Sequence, residues 1–214
     1  MNKTCRLAML RGWLMCGWLL LLCGCPTGET PTTTEGPTTG GAPAAGPADD
    51  AAAVAALEAL SAKLARDDGG HVIEVNFRDL QIDDAALAHL AGLPQLRSVL
   101  LNKTAVTDQG LATLGQIETL ENLDLRGCAT TNDGVAHLAG LAKLRGLRLS
   151  TRQAEDTSDL SGATSYVDDG AMASIGQLTN LEVLALDNLF VTEIGLAELA
   201  SLTKLKELYL AGTS

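Results

Sequence analysis

Aromatic side chains are nearly missing from this 214-residue chain, which has two Trp, two Tyr and two Phe, 3% of the sequence. A surface so poor in rings has no platform on which bases or sugars stack. Basic clusters are missing as well. Fifteen Lys and Arg stand against 26 Asp and Glu, net charge −11, and no basic block exists to displace counterions from phosphates. Nucleic acid is thereby set aside as a partner. Cysteine is concentrated near the start, at Cys5, Cys16, Cys23 and Cys25, with Cys128 alone further on. A chain cleaved before Cys25 has no internal disulfide to form. Cys128 fits the behaviour of free Cys as a small buried filler. No Ser/His/Asp constellation, Cys/His ligand spacing or Gly-rich phosphate loop is present, so no catalytic residue, metal or cofactor is expected.

What the chain does have is a repeat. With Leu96 opening a unit, apolar residues fall at Val99, Leu101, Val106, Leu111, Leu114 and Ile117 before Leu120 opens the next. The openings are Val72, Leu96, Leu120, Leu144, Leu181 and Leu205, in steps of 24 residues save the step of 37 from Leu144 to Leu181. That period marks a solenoid, whose units cannot bury their apolar face alone. Leu96-x-x-Val99-x-Leu101 alternates as a short strand, and Gly110 to Ile117 has helical spacing. Thr107 or Asp108 supplies the oxygen that caps this helix. His89 and His137 share one place in their units, which marks them as scaffold and not as general bases.

Leu-x-x-Leu-x-Leu-x-x-Thr-x-Val-Thr-Asp-x-Gly-Leu, best kept at 96 to 111 and 181 to 196, resembles the leucine-rich repeat family, in the type common in bacterial leucine-rich repeat lipoproteins. The resemblance covers about two-thirds of the chain. It implies an α/β fold: a right-handed solenoid with a parallel β-sheet on the concave face and short helices on the convex face, with five full units and a partial sixth over residues 71–214. Residues 49–70 are expected to form an N-terminal capping helix, with Val54, Leu57, Leu60 and Leu64 at helical spacing and Asp49 and Asp50 at its start. Asp67-Asp68-Gly69-Gly70 breaks it.

The first 24 residues carry Lys3, Arg6 and Arg11 without an acid, then the apolar stretch Gly12 to Leu22. This is a signal-peptide pattern, too short for a comfortable membrane span. Leu22-Cys23-Gly24-Cys25 resembles the lipobox of bacterial lipoproteins, which implies cleavage before Cys25 and lipidation of its sulfur. Pro26 in place of Asp favours the outer membrane or cell surface. An uncleaved anchor beginning at Leu7 is the other reading, and both hold the protein outside the cytoplasm. Residues 25–48, with no large apolar side chain, form a disordered Pro/Thr/Gly tether.

The expected function is a non-catalytic, lipid-anchored interaction module that binds a protein or cell-envelope ligand through its concave face. Candidate contact residues are Arg78, Asn102, Asp124, Arg126, Arg148, Asp187 and Tyr209, with Asp124 beside Arg148 on neighbouring strands. A solvated ladder of surface charges is the competing reading of the same residues. The insertion, about 151–164, is expected at the rim, as a partner contact or a tolerated loop. Its Glu155, Asp156 and Asp159 lack the spacing and glycine of an EF-hand. The sixth unit stops after its strand at Ser214, leaving Leu196, Leu199, Leu202 and Leu205 uncovered. Self-association through that end, a structural role in the envelope, or a longer protein with an effector domain beyond residue 214 would each account for it.

Overall fold

The computed structural model describes residues 46–150 and 167–213. Cys25, the leader, most of the tether and the insertion at 151–164 lie outside the described residues.

Helix α1 (Ala51–Ala59) starts where Asp50 accepts the N–H of Ala52, relieving one of the unpaired donors of the first turn. Leu57 is fully buried beneath it. The helix ends earlier than its apolar spacing suggested. Ser61 takes a left-handed φ of 64°, and Lys63–Arg66 becomes strand β1, paired antiparallel with β2 (Val72–Asn76). The expected capping helix over 49–70 is thus a helix plus a strand. The strand wins because pairing with β2 satisfies a row of backbone donors that an extended helix would leave open at the sheet's edge.

The remaining strands are β3 (Ser98–Leu100), β4 (Asn122–Asp124), β5 (Gly146–Ser150), β6 (Val183–Asp187) and β7 (Glu207–Tyr209). With β1 and β2 they form a seven-stranded sheet in chain order, parallel from β2 onward. Its register runs Val75, Val99, Leu123, Leu147, Leu184, Leu208. The first five of these are fully buried. A 3-10 helix (Asp84–Gly92) follows β2, and short helices α2 (Asp108–Leu114), α3 (Asn132–Ala136), α4 (Asp169–Ile175) and α5 (Glu193–Glu198) follow later strands. From β2 onward each strand is joined through a helix to its neighbour, so residues 46–150 and 167–213 form an α/β solenoid with one continuous core from Leu57 to Leu202.

Among the described residues, five coils turn at the same place. Asp79, Lys103, Gly127, Asn188 and Gly212 all have left-handed φ, between 57° and 72°. Just beyond, Thr104 donates to the Leu101 carbonyl at 2.8 Å, and the buried Cys128 thiol donates to that same oxygen at 3.1 Å.

A polar staple joins successive units. Thr107 caps α2 by accepting the Gln109 N–H at 3.3 Å, and its hydroxyl donates to Asp84 of the preceding unit at 2.6 Å. The Thr107 N–H donates to the other oxygen of Asp84 at 2.8 Å. Asp108–Thr131 and Asp169–Thr192 repeat the geometry. A Cβ at Gly134 would lie 2.1 Å from Asp108 Oδ1, so only glycine admits the incoming carboxylate there. Thr107 therefore makes the cap, and Asp108 serves the next unit.

At the C-terminal end, Leu199 and Leu202 are buried, and Leu196 and Leu205 are partly so. That corrects the expectation that all four are uncovered: they belong to the continuous core or pack against it. The exposed large apolar residues described there include Ile194, Leu208 and Tyr209, with Leu208 at 42%.

Acid should loosen the stack. Glu182 is held below the ordinary 4.5 by Lys206 and then Arg145, and Asp169 below 3.8 by the Thr192 hydroxyl and N–H. Carboxyls depressed in the folded state stabilise it above their ordinary values and lose that contribution as pH falls through the folded ones. The urea midpoint should fall steadily as pH drops below about 4.5; a flat profile there would show these bonds contribute nothing.

Candidate functional site

The sheet face opposite the core carries three rows of side chains, because successive strand residues alternate sides. The middle row reads Asn76, Leu100, Asp124, Arg148, Ala185, Tyr209, in register across β2 to β7. The row beyond the strands' carboxyl ends reads Arg78, Asn102, Arg126, Ser150, Asp187, Ala211. All seven sequence-derived contact residues stand on these two rows.

Four of them converge. The Asp124 side chain is 1% exposed although it stands on the open side of the sheet. Arg126, two residues on and on the same side, folds back over it. Its Nε donates to Asp124 Oδ1 at 2.9 Å and its Nη2 to Oδ2 at 2.7 Å. Arg78 brings Nη2 to 3.6 Å from Oδ2 and donates from Nε to Asn102 Oδ1 at 3.2 Å. The bidentate carboxylate raises the Arg126 pKa above its ordinary value. Asp124 is in register with Arg148, yet it pairs with Arg126 and Arg78, because their guanidinium groups reach its two oxygens.

The other three stand apart. Arg148 makes no side-chain hydrogen bond or ion pair among the described residues. Asp187 Oδ1 accepts the Ala211 N–H at 2.9 Å. The Tyr209 hydroxyl donates to Glu207 at 2.8 Å, a bond that holds its ionisation above 10.0. Tyr209 is 49% exposed.

Sequence reasoning missed a charged row one residue before the strands, separate from the open face's own first row of Ser98, Asn122, Gly146, Val183 and Glu207: Arg97, Glu121, Arg145, Glu182, Lys206. Glu182 bridges Arg145 and Lys206, the latter at 2.8 Å, and Arg97 lies 3.9 Å from Glu121. The alternation of sign at the second place of each unit was the available signal. Among the described residues, no three His, Cys, Asp or Glu side chains group to hold a metal. No described helix is long and apolar enough to cross a membrane.

The parallel sheet, short helices and 24-residue register define an α/β solenoid of leucine-rich-repeat type. No protein-family model matches the chain, and no curated protein matches it. Among solved structures it is similar to the leucine-rich-repeat ectodomain of the plant membrane receptor kinase GASSHO1/SCHENGEN3 from Arabidopsis thaliana, at 18% identity and TM-score 0.47. That match covers 70% of this chain and 17% of the receptor chain. Internalin C2 from Listeria monocytogenes matches at 17% identity and TM-score 0.46, over 77% of this chain and 75% of that one. The ectodomain of the receptor kinase SOBIR1 from Arabidopsis thaliana matches at 15% identity and TM-score 0.44, over 78% and 95%.

Proposed function

We propose that this chain is a non-catalytic protein-interaction module of the bacterial cell envelope, anchored by lipid at Cys25 and binding a protein partner through the open face of its sheet. A solenoid presents an extended ordered surface by construction. The observation that carries the reading is the Asp124 cluster. A carboxylate buried on an open sheet face, under two half-exposed arginine side chains, fixes a polar surface in one arrangement that core packing does not require. A surface fixed before contact loses less freedom on binding.

A photocrosslinking residue at Ser98, on the sheet face, should capture a discrete envelope protein, whereas one at Ala136 in α3 should not. Equal capture from both sides would count against the sheet face. The anchor is tested by Cys25→Ser, which should move the protein from the membrane fraction to the soluble one. Retention in the membrane would favour the uncleaved anchor.

A second reading, self-association, draws on the exposed Leu208 and Tyr209 of β7. Light scattering that finds only monomer at roughly tens of micromolar, above the Kd of a micromolar dimer, would dismiss it.

A further inference from the structure

We infer that Arg148, with Asn122 and Ser150, is the seat for a carboxylate side chain of an extended segment of the protein partner. The inference rests on the sheet-face reading above and names the chemistry recognised there. In a chain of net charge −11, two arginines close over one buried acid at the centre of this face, and a third stands on the next strand. Arg78 and Arg126 are committed to Asp124, and both Asp124 oxygens already accept from Arg126. Arg148, in register with that acid, makes no bond from its guanidinium donors among the described residues, and its planar fork fits a carboxylate bidentately.

Its surroundings suit such a guest. Gly146 stands two residues earlier on the same side of β5, and the Asn122 carboxamide, Oδ1 foremost, lies where its Cβ would be. A Cβ there would lie 2.6 Å from Asn122 Oδ1 and 3.7 Å from Arg148 Nη1. The Asn122 carboxamide thus reaches over the glycine toward Arg148. Asn122 and Ser150 make no side-chain hydrogen bond among the described residues, so the Ser150 hydroxyl is a donor beside the fork, and the Asn122 amide becomes one when its carboxamide turns Nδ2 in place of Oδ1. Ala185, 4% exposed, is the in-register neighbour on β6, and Tyr209 stands one strand further. A lone anion on an open sheet competes poorly with water. A segment that also lies along the face toward the Tyr209 ring gains the apolar contact that holds its carboxylate in place.

The test follows the arginine Nε–Hε resonances of the ¹⁵N-labelled full-length chain, in detergent, during titration with a capped peptide of alternating Gly and Glu. Its Gly/Gln counterpart is the control. The Glu peptide should move the Arg148 resonance and leave Arg97 in place, and the Gln peptide should move neither. Arg148→Gln should weaken binding about tenfold, with an unchanged urea midpoint. Asn122→Ala and Ser150→Ala should each weaken it less. Equal response to both peptides would overturn the proposal, as would acetate moving Arg148 as far as the peptide does. So would movement of that resonance, without peptide, on changing Glu155, Asp156 and Asp159 to their amides, since the chain's own insertion would then be the guest. If Ser98 crosslinks a partner whose capture ignores Arg148→Gln, the carboxylate seat fails and the sheet-face reading stands. Peptide binding at Arg148 without capture from Ser98 would keep the carboxylate seat and remove the support for the sheet-face reading.

Discussion

Arg126→Ala is expected to destabilise the protein by about 3 kcal/mol, and Asp124→Ala by only about 1 kcal/mol. The two changes delete opposite ends of one ion pair, so a contact-counting argument would make them equal. Burial breaks the symmetry. Asp124 is 1% exposed, whereas Arg126 and Arg78 are 41% and 44% exposed. When the aspartate goes, both guanidinium groups turn to water at little cost. When Arg126 goes, a desolvated carboxylate keeps only the backbone N–H of residue 126 at 3.3 Å and Arg78 at 3.6 Å. Urea unfolding of both single variants and the double variant measures the difference, and the double should resemble Asp124→Ala. Equal costs would mean that Asp124 is hydrated in solution. The same reasoning makes Arg126 a poor choice for testing partner contact, because its loss perturbs the fold, and leaves Arg148 as the residue to change.

The second large effect is expected where the staple changes its chemistry. Three junctions use Asp accepting from Thr, but at the fourth the cap is Asp168 and the facing residue is Asn132. Asn132 Nδ2 donates to Asp168 Oδ1 at 2.7 Å, and Asn132 Oδ1 accepts the Asp168 N–H at 3.0 Å. Donor and acceptor have exchanged sides, which keeps two carboxylates from meeting. Asn132→Asp would place oxygen against oxygen at that distance, remove a hydrogen bond and confront like charges, at about 2–3 kcal/mol. Adding Asp168→Thr rebuilds the pair seen at Asp84/Thr107 and should return most of the loss, a coupling of about 2 kcal/mol. The penalty of the single variant should shrink in acid as one carboxyl takes up a proton. Additive behaviour in the cycle would refute the pairing.

These two sites also mark how far a linear reading reaches. The Asp-to-Thr staple recurs at a spacing of 23 residues and was present in the Thr-Asp-x-Gly pattern, but the pattern alone presented Thr107 and Asp108 as rival caps. Only the stacked geometry shows that one caps and the other reaches the next unit. The Asn132–Asp168 exchange spans 36 residues, across the insertion, so no fixed period points to it. At the sheet face, the row that holds Asp124 and Arg148 was legible from alternation. Which arginine takes the carboxylate was not, because Arg126 and Arg148 are both near neighbours and side-chain reach decides between them.

The opening of the array shows the same limit. Leu57, Leu60 and Leu64 have helical spacing, but a run of that length is equally served by a helix, a left-handed turn at Ser61 and a strand. Pairing with β2 made the choice, and β2 is a tertiary neighbour.

By itself, the sequence determined the period, the strand positions and the leucines that go inside. The 24-residue coils repeat the same backbone path, so burial recurs with the residue number. Tertiary structure decided the antiparallel first strand, the burial of Asp124, its choice of Arg126 and the solitude of Arg148. Those outcomes depend on distances between neighbouring strands and on the competition of several cations for two oxygens, and neither quantity is written in a periodic pattern.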